Sequence, residues 1–180
     1  MWAEIDVNKL KNCVVNKSEY DKIFPRFIGE VGKIVKDRLK DKYPRVQEWV
    51  GPYGREKVKS LHPNMEEPFF LDWVCFGIEG YPPEEAHVGV LFFVNDWPIV
   101  YNIGVHALDH IWSPKEKAIR EKLNSLENPP TEYDYQKDYK EHQFNDVKKE
   151  LNYKDLDQTI QSIADRVEEL YGAANPILKK

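Results

Sequence analysis

HVGVLFFV at residues 87–94, ND at 95–96 and WPIVYNIGVH at 97–106 together decide how this chain folds. Two apolar runs of strand length flank a pair of residues that tolerate the positive φ of a tight turn, the signature of a β-hairpin. With Asn95-Asp96 as a two-residue loop, Val94 opposes Trp97 and paired positions sum to 191. One face then carries Val88, Val90, Phe92 and Val94 opposite Ile103, Tyr101, Ile99 and Trp97, apolar throughout and fit to meet helices. The other carries His87, Gly89, Leu91 and Phe93 opposite Gly104, Asn102, Val100 and Pro98. Its far end, where His106 follows Gly104, mixes small and polar residues and so offers both room and chemistry. That end is the expected floor of a site, with His87 and His106 as diagonal neighbours about 7–8 Å apart.

Upstream, FLDWVCFGI at 70–78 is apolar at nearly every position, as a strand covered on both faces would be. A loop at 79–86 with Pro82-Pro83 joins it to the hairpin. Before it, Phe27, Ile28, Val31, Ile34, Val35 and Leu39 recur at helical spacing, with Ser18 as a cap, Pro25 near the start of the regular part and Pro44 as the stop. A short element at 46–50 precedes the turn Gly51-Pro52-Tyr53-Gly54. Downstream, Ser113-Pro114-Lys115-Glu116 reads as cap, first-turn proline and capping-box glutamate, ahead of Ile119, Leu123 and Leu126. TEYDYQKDYKEHQF at 131–144 reads equally as strand or surface loop. The last helix starts at an Asp155 cap, buries Leu156, Ile160, Ile163, Val167 and Leu170, and stops at Gly172. The order gives an α+β fold: an antiparallel sheet, a meander around residues 55–106, packed in two layers against N- and C-terminal helices as one domain over 1–180.

The 180 residues carry 26 Lys and Arg against 31 Asp and Glu, a net charge of −5, which argues against a dedicated nucleic-acid binder. A hydrophobic fraction of 41% excludes a disordered chain. No apolar run reaches the ~18 residues of a membrane span, and the N-terminus lacks the blocks of a signal peptide, so a cytoplasmic protein is expected. Cys13 and Cys75 fit neither a disulfide framework nor a cysteine zinc site.

Chemistry is sparse. His106 and His110 have metal-ligand spacing for a helix, but along an extended chain their rings stand roughly 13 Å apart, so no metal site is expected. Cys75 reads as a buried, inert thiol and Ser113 as a cap rather than a nucleophile. Glu84, Glu85 and Asp109 stand near the histidines as acid–base groups. Arg55, Lys57 and Lys59 share one face if their stretch is extended, as an anion site or a charged edge strand. No phosphate loop or other cofactor motif occurs, and no cofactor is expected. The resulting expectation is a domain that binds a small anionic ligand or a protein partner on one sheet face, through Arg55, Lys57, His87, Asn102 and His106. The alternative is a metal-independent hydrolase or nucleic-acid-processing enzyme with His87 or His106 as general base. A third reading makes the tyrosine-rich stretch at 131–144 a surface for a protein partner.

The helix FIGEVGKIVKDRL (27–39), the basic stretch at 53–59, the strand DWVCFG (72–77) and the histidine-led HVGV (87–90) follow one another in an order similar to that of the YktB-like family. These are small intracellular proteins of uncharacterised function. The resemblance spans roughly residues 20–110; it implies an α+β fold and no activity, and leaves the Asn95-Asp96 hairpin and the C-terminal helices unexplained.

Overall fold

A computed structural model describes residues 2, 4–12, 17–50, 71–94 and 98–180. Helices α1 (Glu4–Asn12) and α2 (Lys17–Lys40) lead into strands β1 (Glu48–Val50), β2 (Leu71–Gly77), β3 (Ala86–Phe93) and β4 (Val100–Leu108). A helical turn, α3 (Asp109–Trp112), runs through a 3-10 turn into α4 (Glu116–Asn124). Strands β5 (Glu132–Gln136), β6 (Glu141–Asn145) and β7 (Lys149–Glu150) follow, and α5 (Leu156–Leu178) closes the chain. All strand pairs are antiparallel, in the order β1-β2-β3-β4-β6-β5, with β7 continuing along β4 beside β6. The α+β class and its antiparallel sheet are as the sequence led one to expect.

The β3–β4 ladder corrects the expected register. His87 pairs with His106, Gly89 with Gly104 and Phe93 with Val100, so paired positions sum to 193. The β3–β4 ladder runs from Ala86–Ala107 to Phe93–Val100 and stops short of Pro98, which has no amide hydrogen to donate. The slip is two residues, and side chains alternate with period two, so each paired residue of β3 and β4 keeps its expected face. Asn95, Asp96 and Trp97 lie outside the described residues, as do Cys13, the turn at 51–54, and Arg55, Lys57 and Lys59.

Val74, Phe76, Val88, Val90, Phe92, Ile103 and Val105 are buried on one face. Helix α2 lies over β1 and β2, α5 over β3 and β4, and the two helices pack on each other. Phe92 sits at the centre, with the rings of Phe24 and Phe27 edge-on at 5.8 and 5.6 Å. Helix α2 runs through Pro25 rather than starting near it. The proline forfeits one amide bond, but Ile23 and Phe24 before it and Phe27 and Ile28 after it are all buried, so one apolar stripe spans the break and offsets the loss.

Two further expectations are corrected. Helix α5 is capped as read, with Asp155 Oδ1 accepting from the Gln158 amide at 2.9 Å, but it continues past Gly172 to Leu178. Ala173, Ala174, Asn175 and Leu178 are buried there, and packing outweighs the helix-breaking tendency of one glycine. Ser113 caps nothing; its hydroxyl donates to Asp109 Oδ1 at 2.5 Å. The undecided stretch at 131–144 contains β5 and most of β6, a hairpin whose turn places Lys140 at φ 52°.

Candidate functional site

On the face turned away from α2 and α5, strand alternation brings Cys75, His87, Gly89, Asn102, Gly104, His106 and, from β6, Glu141, Gln143 and Asn145 to one side. His87, Asn102, His106 and Asn145 are buried. Because His87 and His106 pair directly rather than diagonally, their rings come within 4.9 Å of each other, centroid to centroid.

Each ring has one nitrogen fixed. The chain turns at Pro82-Pro83, and His87 Nδ1 donates to the Pro83 carbonyl at 2.6 Å, four residues back. His106 Nε2 meets Asn145 Oδ1 at 2.8 Å, across the β4–β6 ladder. A neutral imidazole that donates through one nitrogen keeps a lone pair on the other, so His87 Nε2 and His106 Nδ1 are acceptors. Burial first, then the neighbouring His106, holds the His87 ring down to about 4, which leaves it neutral at pH 7. Burial likewise pushes the Cys75 thiol well up, with the carboxylates of Glu141 and Glu84 adding to the shift. That thiol is an unreactive part of the floor.

The glycines are what let the rings lie down. A Cβ at Gly89 would press at 3.1 Å on both Cys75 Sγ and His87 Cδ2, and one at Gly104 would coincide with Asn145 Oδ1 and stand 3.1 Å from His106 Nε2. Facing each other across the ladder, the two positions need the absence of a side chain. Beside them, Asn102 Oδ1 is buried with no hydrogen-bond partner among the described residues. Glu141, half-buried at the start of β6, accepts from Gln143 Nε2 at 2.6 Å. One ligand atom from each of His87, His106 and Glu141 lies within 4.8 Å of the others.

Of the five residues expected from sequence, the structure brings His87, Asn102 and His106 to one face, while Arg55 and Lys57 fall outside the described residues. Glu141 and Asn145 were not foreseen, since both lie in or just beyond a stretch with no assigned element. His110, the spacing partner of His106, is exposed on α3, 3.9 Å from Glu85. His142, unremarked in the sequence, is buried on the opposite face. It stacks on Trp112 with ring centres 5.5 Å apart, reaches Asp109 Oδ1 at 2.9 Å through Nε2, and meets Tyr133 Oη at 2.8 Å through Nδ1. Its work is to pin the β5–β6 hairpin, and with it Glu141 and Asn145, to α3.

Among the described residues no helix is long and apolar enough to cross a membrane. No family model matches the chain, and no curated protein or solved structure matches it either, so the YktB-like likeness is neither supported nor opposed by them.

Proposed function

We propose that this chain is a ligand-binding protein whose site is the His87–His106 end of the sheet face turned away from α2 and α5. What supports the reading is the buried Asn102 Oδ1, without a hydrogen-bond partner among the described residues, on the same face as the His87 and His106 rings, each of which has only one nitrogen in a hydrogen bond described above. Leaving a buried polar atom unpaired costs about 1–3 kcal/mol, a cost that a ligand can recover. The groups described here, two imidazoles, an amide oxygen and the Glu141 carboxylate, are acceptors. They complement a cation or a hydrogen-bond donor better than a free anion. In the hydrolytic alternative His87 is the poorer candidate base, because an imidazole held near 4 is a weak general base.

The test is a ligand panel of amines, amino acids, cations, phosphate and nucleotides, read by thermal shift and by the side-chain nitrogen resonances of the five histidines. At least one donor or cationic class should raise Tm and move the His87 and His106 resonances, and Asn102→Leu should weaken the response. A panel that leaves both readouts unmoved would reduce these residues to a structural polar network.

A further inference from the structure

Resting on the ligand-site reading above, we propose that the ligand of this face is a divalent transition-metal ion, held by His87, His106 and Glu141. Two imidazole nitrogens and a carboxylate oxygen are a donor set of borderline softness. It suits zinc, cobalt or ferrous iron and is a poor match for magnesium or calcium, which prefer oxygen throughout.

Four features of the geometry converge on this. The three ligand atoms already lie within 4.8 Å of one another, and ~2.0–2.2 Å bonds to a tetrahedral ion would draw them to about 3.4 Å apart. Each ligand also has its outer partner in place: Pro83 O on His87, Asn145 Oδ1 on His106, and Gln143 Nε2 on Glu141. Such partners fix the tautomer and aim the lone pair, and histidine metal ligands almost always have them. The donors come from three adjacent strands, which makes the constellation rigid before an ion arrives. Lastly, three protein ligands leave at least one position open on the ion, as sites that bind a further small molecule do. With one carboxylate and two neutral rings, a divalent ion keeps a net charge of +1. The small anion expected from the sequence would then find its counter-charge on the ion itself.

The experiment is a titration of the full chain, first freed of metal with a chelator, with Co2+ followed by visible absorption. One ion per chain should bind, giving ligand-field bands of a four- or five-coordinate centre that Zn2+ abolishes and Mg2+ does not. Glu141→Gln keeps the side-chain shape and should weaken binding at least 10-fold. Asn145→Ala should cost 10–100-fold, and His110→Ala should change nothing. His106→Ala should abolish binding; if it fails to fold, Glu141→Gln on the half-buried β6 position carries the test alone. Absence of both bands and a zinc-dependent rise in Tm, or binding that Glu141→Gln leaves intact, overturns the metal assignment. In that event, stabilisation by an amine or amino acid would leave the ligand-site reading standing, and silence across the whole panel would remove both.

Discussion

The two faces of the sheet share one backbone and are held in place by different means. Toward α2 and α5, Val90, Phe92 and Ile103 are fixed by volume: any side chain of similar shape fills the same space. On the reverse side, His87, His106 and Glu141 are each fixed by a named hydrogen-bond partner, and two glycines exist so that those partners fit. Packing tolerates exchange and pays in kilocalories. A hydrogen-bonded constellation tolerates little, and its loss registers in function before it registers in stability.

Adjacent residues break that contrast most sharply. Phe92→Ala removes a fully buried ring from among Phe24, Phe27 and Tyr101 and should cost about 3–5 kcal/mol in urea unfolding. Leu91→Ala, one position along and half-buried on the reverse side, should cost about 1 kcal/mol. Similar losses at both positions would mean that the reverse side is as tightly packed as the core. Next in size, Gly104→Ala puts a methyl where Asn145 Oδ1 stands and should cost about 2 kcal/mol while freeing His106 from its partner. Its His106 nitrogen resonances should shift, and an unshifted ring would refute the role given to Asn145.

Acid sharpens the comparison, because the described site holds a buried histidine of depressed affinity for protons. Folded His87 stays neutral down to about 4 against an ordinary 6.5, so between these values the unfolded chain binds the extra proton first. Stability in metal-free buffer should therefore fall as pH drops from about 6.5 to 4, by on the order of 1–3 kcal/mol, and the His87 contribution should level off below that. His87→Gln should flatten the slope; an equally steep fall in the variant would assign it elsewhere. The smallest effect belongs to the turn before Glu141. Lys140 has φ 52°, a conformation that costs an L-residue about 1 kcal/mol, so Lys140→Gly should raise urea stability by about 0.5–1 kcal/mol.

What was legible in the sequence follows the same divide. Alternation from His87 to Phe93 is local, and it assigned the paired side chains of β3 and β4 to their sides even with the register misjudged by two residues. Register was not legible, because a shift of two residues leaves the periodic pattern unchanged. The partner of His87 lies four residues back at Pro83, within reach of a local reading. The partner of His106 lies 39 residues on, at Asn145, and Glu141 shares its hairpin. The tyrosines of 131–144 alternate as a strand's would, yet β5 is exposed along nearly its whole length, so no apolar signal marks it. Pairings between distant polar residues leave no periodic trace.

The end of α5 reaches further than its position suggests. Asn175 Oδ1 accepts from the Glu79 amide at 2.9 Å, its Nδ2 reaches Glu79 Oε2 at 3.1 Å, and the Lys180 amide donates to Glu79 O at 3.2 Å. Glu79 opens the connection in which Pro83 aims the His87 ring. The final helical turn thus splints the connection that carries Pro83, and clipping the chain before Asn175 should loosen that connection and, with it, the hold on the His87 ring.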